Sequence, residues 1–104
     1  MSKTSMILKL TAQDGRRDDL LAALSGMLPT VNDEEGTEIY AFNYDDSDAN
    51  VIWIYEVYSS KEAMDLHSAT PAMADLLGAV GPLLGTEPPL WVSATPMAGK
   101  GIGL

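Results

Sequence analysis

Near the middle of the chain stands Val51-Ile-Trp-Ile-Tyr-Glu-Val-Tyr-Ser-Ser-Lys-Glu62, in which a strand pattern ends and a helix pattern begins. Residues Val51 to Tyr58 are mostly β-branched or aromatic, and apolar side chains occupy both alternating sets of positions. This pattern predicts a strand that is covered on both faces. Ser59, followed by Glu62 three residues later, forms a capping box and predicts the start of a helix. Helices of the same chain can cover one face of the strand, and we expect the sheet of a second copy to cover the other.

The residues that follow predict two consecutive helical stretches and a final strand. The first stretch runs through His67, and Thr70-Pro71 supplies a new cap with proline at the first helical position of the second. Pro82 helps to end this second stretch. Leu90 to Thr95 predict the last strand. Residues 97–104 contain three glycines and are predicted to form a flexible tail.

Three further elements are predicted upstream of the quoted segment. Met6 to Ala12 is short, apolar and partly alternating, which predicts the first strand. Leucines at helical spacing predict an amphipathic helix over about Arg16 to Leu28, with Pro29 as its stop. Glu38 to Tyr44 predicts a strand that pairs antiparallel with the third across the turn at residues 45–50.

The resulting element order, β-α-β-β-α-β, is that of the ferredoxin-like arrangement. It predicts an α+β fold with a four-stranded antiparallel sheet and both helical regions on one face. We expect one domain over residues 1–96, because a chain of 104 residues has room for a single hydrophobic core.

Composition narrows the choice of partners and compartment. Six Lys and Arg against 15 Asp and Glu give a formal net charge of −9, which disfavours nucleic acid and anionic membrane surfaces. The absence of cysteine excludes disulfides, thiolate catalysis and cysteine-ligated metals. The sequence shows no signal peptide and no apolar run of membrane-spanning length, so we expect a cytoplasmic protein.

Few side chains of this sequence are candidates for catalysis or ligand binding. His67 is the only histidine, the residue type that most often exchanges protons near neutral pH. Its role is open between a structural hydrogen bond across the break at residues 69–71 and a functional group directed toward the sheet. Glu56 interrupts an apolar strand and must be paired or face a cavity. Trp53 and Trp91 are more typical of core or interface positions than of ligand contacts.

The common sequence motifs for metal and phosphate binding are missing. Asp33 to Thr37 is predicted to be a solvated acidic loop, because its adjacent carboxylates lack the spacing of a calcium loop. There is also no phosphate-binding loop, no dinucleotide glycine pattern and no nucleophile elbow. We therefore expect no metal and no nucleotide cofactor.

The segment from Trp53 to Pro71 resembles the antibiotic biosynthesis monooxygenase family. The family pattern is an aromatic strand with a glutamate, a polar cap, an alanine and then a histidine three or four residues later. The residues that match it here are Trp53, Tyr55, Glu56, Ser59-Ser60, Ala63 and His67. Glu35-Gly36-Thr37 followed by Tyr40 resembles the family's usual start of the second strand. Together with the element order, the resemblance covers about residues 5–95.

The resemblance implies a homodimer whose sheets pack together. It also implies a cofactor-independent oxygenase, in which a phenol or quinol is deprotonated and reacts directly with dioxygen. His67 is then the catalytic base or acid. The residues expected to bind the substrate are Trp53, Glu56, Tyr40, Phe42, Met64 and Met73.

Two other functions remain open at this stage. One is a non-catalytic dimeric module that binds a small hydrophobic ligand or has a regulatory role, since a fold does not establish an activity. The other is an isomerase-like enzyme that uses His67 or Glu56 to shuttle a proton. The haem-degrading branch of the family fits less well, because the first strand has no asparagine and the chain has no second histidine. The surroundings of His67 distinguish these functions: an enclosed pocket lined by His67 favours catalysis, and a buried hydrogen bond with no cavity beside it favours the module.

Overall fold

Residues 2–104, which the computed structural model describes, form four strands, four α-helices and one 3-10 turn. In chain order these are β1 Thr4–Thr11, α1 Arg17–Ser25, α2 Leu28–Asn32, β2 Thr37–Tyr44, β3 Val51–Tyr58, α3 Lys61–Ser68, α4 Pro71–Val80, the turn Gly81–Leu83 and β4 Leu90–Ala94. The predicted third strand has the observed bounds. The first residue of the predicted domain, Met1, lies outside the described residues.

The strands form one antiparallel sheet in the order β2-β3-β1-β4. Ile54 lies in the middle of β3, opposite Leu8 of β1 on one side and Phe42 of β2 on the other. These three side chains therefore share one face, which the helices cover. The predicted α+β ferredoxin-like fold is confirmed.

The hydrophobic core lies between this face and the helices. Ile52 and Ile54 are 0% and 1% exposed, and Leu20 of α1 is 0% exposed against them. The other buried members of the core are Leu10, Ala12, Leu24, Met27, Val31, Leu76 and Val80. We call this surface of the sheet the helix face.

The middle of the opposite surface, which we call the open face, is left uncovered by residues 2–104, whereas Val51 and Val57 near the two ends of β3 on this face are only 0% and 8% exposed. Neighbouring strands place Ile7, Tyr55 and Val92 side by side there, and these apolar side chains are 44%, 47% and 54% exposed. The edge strand β4 is exposed along its whole length, including Trp91 at 70%. The second cover predicted for β3 would have to come from outside this chain.

Two local predictions about helix ends are wrong. Pro29 does not end a single long helix; it lies in the first turn of the short helix α2, where its missing N–H is not needed. The cap of α3 is Ser60 rather than Ser59: the Ser60 hydroxyl accepts a hydrogen bond of 3.1 Å from the N–H of Ala63. The predicted Thr70 cap of α4 is confirmed, since its hydroxyl accepts from the N–H of Met73.

Residues 95–104 contain no helix or strand. Among the described residues, no helix combines the length and apolar character that crossing a membrane requires.

Candidate functional site

His67 lies in the last turn of α3 and is 2% exposed. Its Nδ1 atom is 2.8 Å from the Oε1 atom of Glu34, in the loop before β2. The Thr37 hydroxyl donates a 2.9 Å hydrogen bond to the same carboxylate oxygen, which further orients Glu34. The two partners are 33 residues apart in sequence, so the pair is a tertiary contact between a loop and a helix.

A close approach of backbone to helix holds the Glu34 loop against α3. Gly36 faces Ala63, and a Cβ atom placed on Gly36 would lie 2.5 Å from the Ala63 Cβ. The Ser59 N–H donates a 2.8 Å hydrogen bond to the Gly36 carbonyl. Ala63 and His67 are four residues apart and share one helix face. Small residues at positions 36 and 63 therefore bring Glu34 within reach of His67.

The end of α3 is fixed directly behind His67. The Thr70 hydroxyl donates a 2.9 Å hydrogen bond to the His67 carbonyl while it caps α4. This polar break between two helices fixes the backbone that carries the imidazole.

Two tyrosines and a second carboxylate complete the surroundings of His67. The rings of Tyr40 and Tyr58 each have their centroids 5.4 Å from the centroid of the imidazole. The Tyr58 hydroxyl donates a hydrogen bond to Glu56 Oε1, and Glu56 is 6% exposed. Glu56 lies directly opposite Tyr40 in the pairing of β3 with β2. The predicted need of Glu56 for a partner is thus met by Tyr58.

Burial controls the protonation of this cluster. It raises the pKa of Glu56 above its usual 4.5, although the Tyr58 hydrogen bond and the nearby His67 act in the opposite direction. Burial also raises the pKa of Tyr40 and of Tyr58, and the adjacent carboxylates add to both increases. Both phenols therefore stay protonated at neutral pH and can act as hydrogen-bond donors.

The second ring nitrogen of His67, Nε2, is the buried polar atom of the cluster that lacks a hydrogen-bond partner. Nε2 is buried and has no hydrogen-bond partner among residues 2–104. Buried polar atoms are normally paired, so an unpaired imidazole nitrogen calls for an explanation. A bound ligand that donates a hydrogen bond would satisfy it.

An open cleft of about 640 Å³ lies beside this imidazole. Its wall consists of residues 33–37 together with Ser60, Glu62, Ala63, Leu66 and His67. The cleft opens to solvent rather than forming an enclosed chamber. His67 is thus both held in a hydrogen bond and adjacent to a space where a small molecule fits.

The structure brings most of the predicted site residues to one side of the sheet. Tyr40 and Phe42 pack edge to face with their centroids 5.4 Å apart on the helix face, where Glu56 also lies. Met73 packs against the core from α4, and Met64 is half-buried on α3.

Trp53 does not join this group, because it lies on the open face. Its Nε1 donates a 2.7 Å hydrogen bond to Asp45 Oδ2, and the Lys9 ammonium lies 5.8 Å from the ring centroid. The alternation of β3 already separates residue 53 from residue 56.

Sequence reasoning missed Glu34, Thr37 and Tyr58. The acidic loop was expected to be entirely solvated, yet Glu34 turns inward and binds His67. Adjacent carboxylates carry no periodic signal that singles one out, so only the tertiary structure reveals it. Tyr58, the last residue of the strand, is two positions after Glu56, so both side chains lie on the same face. This spacing was the sequence signal for the contact of Tyr58 with the cluster.

No group of three or more histidine or acidic side chains converges as a metal site within the described part of the chain. The fold and the site together define a ferredoxin-like α+β domain with a buried histidine–carboxylate pair next to an open cleft.

The antibiotic biosynthesis monooxygenase family matches residues 5–78. A solved structure from Chloroflexus aurantiacus, provisionally described as an antibiotic biosynthesis monooxygenase, is 30% identical with a TM-score of 0.80, over 98% of this chain and 100% of that chain. This chain belongs to the antibiotic biosynthesis monooxygenase family.

Two more solved structures have a similar fold. A Mycobacterium tuberculosis protein is 26% identical with a TM-score of 0.83, over 95% of this chain and 99% of that one. A Caulobacter crescentus protein, with the same provisional description as the Chloroflexus one, has a TM-score of 0.87 over 93% of this chain and 92% of that one; at 17% identity it supports the fold alone. No curated protein matches the chain significantly.

Proposed function

We propose that this protein is a cofactor-independent monooxygenase that oxidises an aromatic phenol or quinol with dioxygen. One observation carries the proposal: His67 has one ring nitrogen bound to Glu34 and the other buried without a partner, beside a cleft large enough for a small aromatic molecule. Membership of the monooxygenase family supports the reaction class.

The Glu34 contact gives the imidazole the polarity that a base requires. The Glu34 carboxylate accepts a hydrogen bond from Nδ1–H, which keeps the proton on Nδ1 and leaves the lone pair on Nε2. Glu34 also stabilises the positive charge that His67 gains when it takes a proton. A substrate O–H that reaches Nε2 from the cleft would be deprotonated there.

The reaction balances without a further reductant. In a phenolic substrate with an activated CH₂ carbon, His67 takes one proton and the substrate anion passes an electron to dioxygen. The two radicals combine in a C–O bond, and the proton returns from His67 to give a hydroperoxide. Loss of the remaining C–H proton then breaks the O–O bond, so CH₂ and O₂ become C=O and H₂O.

Neighbouring side chains take supporting roles in this proposal. The protonated Tyr40 and the buried Glu56 lie beside the imidazole, where Tyr40 can donate a hydrogen bond to the developing peroxide. Phe42 and Met73 pack against the hydrophobic core and, like Met64, do not line the cleft, so this proposal gives them no contact with the substrate. Trp53 has no part in it, because it lies on the open face.

Oxygen uptake tests the proposal. Wild type, His67→Ala and His67→Gln are compared on a panel of naphthoquinols and anthrones, with Asp65→Asn on the exposed side of α3 as the control. We expect both His67 variants to lose about 100-fold or more in turnover and the control to retain its activity. Equal uptake by wild type and the His67 variants would remove His67 from the mechanism.

A non-catalytic ligand-binding module is the second candidate, and the shape of the cleft favours it. The cleft is open and lined by several carboxylates, whereas a reaction that passes through radicals benefits from a closed, dry site. No oxygen uptake on any substrate, combined with ligand binding at the cleft, would establish this alternative.

The open face supports a homodimer in either case. Its apolar side chains, including Ile7, Tyr55 and Val92, form a continuous patch across three strands. We propose that two open faces pack together. Light scattering at micromolar concentration would disprove the dimer if it returned the mass of a single chain.

A further inference from the structure

We infer that the cleft beside His67 selects ligands by charge and takes a phenol that carries an ammonium group, while it rejects carboxylated or phosphorylated aromatics. This inference rests on the proposed function only for the identity of the phenol. The charge selection itself follows from the side chains that form the cleft.

The mouth of the cleft is acidic. Asp33, Glu35 and Glu62 line it and are exposed, and none of the three forms a salt bridge with any of residues 2–104. No lysine or arginine lines the cleft, and the nearby Lys61 is directed to Asp65, 3.4 Å away. A ligand that enters therefore meets negative charge with no cationic side chain to offset it.

The buried end of the same cleft points to a ligand independently. His67 is only 2% exposed, and its Nε2 atom has no hydrogen-bond partner among the described residues. An atom of this kind needs a donor such as a hydroxyl group. His67 and the three acidic side chains line the same cleft.

The apolar part of the cleft wall suits an aromatic ring. Ala63 and Leu66 line the cleft, and the Leu66 side chain is 67% exposed, so its apolar surface is available to a ligand. A molecule that carries a hydroxyl, a ring and an ammonium has one group for each kind of lining residue: the base, the apolar side chains and the carboxylates. Because the acidic side chains do not converge as a metal site, the cation that fits is an extended organic one.

The expected difference in affinity between charged and neutral ligands is modest. At about 4 Å in a water-like medium, one carboxylate changes the affinity for a unit charge about fivefold. The preference must shrink as salt is added, since the mouth is exposed.

Three phenols with the same two-carbon para chain test the charge selection. They are tyramine, which is cationic, 4-ethylphenol, which is neutral, and 3-(4-hydroxyphenyl)propionate, which is anionic. Each is titrated under nitrogen into the ¹⁵N-labelled protein, and dissociation constants are taken from the shifts of the Ala63 and His67 amide signals. We expect tyramine to bind at least about fivefold more tightly than 4-ethylphenol at low salt, and the propionate to bind most weakly.

A double variant locates the effect. Glu35→Gln/Glu62→Gln should weaken tyramine about fivefold or more and leave 4-ethylphenol within about twofold. Asp46→Asn/Asp75→Asn removes the same net charge from exposed positions outside the cleft, and it should change neither ligand. Equal affinities for the three probes, or equal losses in the two double variants, would overturn the inference.

The outcome is separable from that of the proposed function. Charge-ordered binding without oxygen uptake on any phenol would leave the selection standing and remove the oxygenase. Oxygen uptake that does not depend on the charge of the substrate would support the oxygenase and overturn the charge selection.

Discussion

The two faces of β3 have nearly the same sequence character and very different surroundings. On the helix face, Ile52 and Ile54 are fully enclosed and Glu56 is paired with Tyr58. On the open face, Val51 and Val57 are buried near the ends of the strand, but in its middle Tyr55 is 47% exposed and lies beside the exposed Ile7.

The comparison shows that apolar patterning alone does not say what covers a strand. One face is completed by helices of the same chain, and the candidate site lies on that side, with His67 on α3 and Glu34 in the loop before β2. The middle of the other face presents apolar surface that residues 2–104 leave exposed. The proposed chemistry and the proposed dimer interface therefore lie on opposite sides of one strand, and each can be perturbed separately.

The largest expected difference is between Ile54→Ala and Ile7→Ala. Ile54 is enclosed in the core, so its truncation should lower the free energy of unfolding by about 2–5 kcal/mol. Ile7→Ala should cost less than about 1.5 kcal/mol within the single chain. Urea unfolding at several protein concentrations measures both, and only the Ile7→Ala loss should depend on concentration. Similar, concentration-independent losses would mean that the two faces are equivalent.

Tyr55→Asp tests the assembly of the open face. A charge placed in the middle of an apolar interface should weaken a dimer by about 30-fold or more, because central aromatic contacts contribute about 2 kcal/mol or more. Sedimentation equilibrium measures the dissociation constant. Leu77→Asp, at an exposed position on α4, is the matched control and should leave the dimer intact. An unchanged constant for Tyr55→Asp would place the interface elsewhere.

Gly36→Ala tests how tightly the Glu34 loop is held on the helix side. The new Cβ would lie 2.5 Å from Ala63, and the resulting overpacking should cost about 1–3 kcal/mol of stability. It should also move the His67 side-chain resonances as Glu34 shifts. Gly78→Ala is the control, since its Cβ meets nothing within 4 Å and alanine should stabilise α4 by about 0.5–1 kcal/mol. If Gly36→Ala were as stable as wild type, the close approach would not position the loop.

The smallest expected effect is the pH dependence of Glu56→Gln. Burial raises the pKa of Glu56 in the folded protein, so the folded state binds this proton more tightly than the unfolded state does. The associated stability is fully present below pH 4.5 and is lost as the pH rises through the folded-state pKa. The stability of wild type relative to Glu56→Gln should therefore fall as the pH increases from 4.5.

Urea unfolding at stepped pH values measures this trend. Glu62→Gln removes a carboxylate from an exposed position and controls for the overall negative charge. Parallel stability curves for wild type and Glu56→Gln would show that burial does not shift this proton equilibrium.

Most of the fold could be predicted because its signals are local. The alternation of Val51 to Tyr58 and the Thr70-Pro71 cap lie within a few residues, and both elements were predicted correctly. Helix ends were less certain, because Ser59 and Ser60 can both cap and proline is as compatible with a first turn as with a stop. The structure decides between such neighbours through contacts that sequence spacing does not show.

The candidate site was only half predictable for the same reason. His67 and Glu56 stand out as polar residues in apolar settings. Glu34 does not, because it is one of three consecutive acidic residues and its partner is 33 positions away. The substrate-binding role of Trp53 was implied by the family resemblance, although the alternation of the strand already placed it on the face opposite Glu56.

The exposed edge strand β4 has a consequence for how the protein behaves in solution. Its Leu-Trp-Val run offers apolar surface on both sides, and its outer backbone groups face no neighbouring strand of residues 2–104. Edges of this kind favour strand-to-strand association between molecules. The charge of −9 opposes that association at neutral pH through mutual repulsion. Near the isoelectric point of about 4.2 the repulsion vanishes, so solubility should pass through its minimum there.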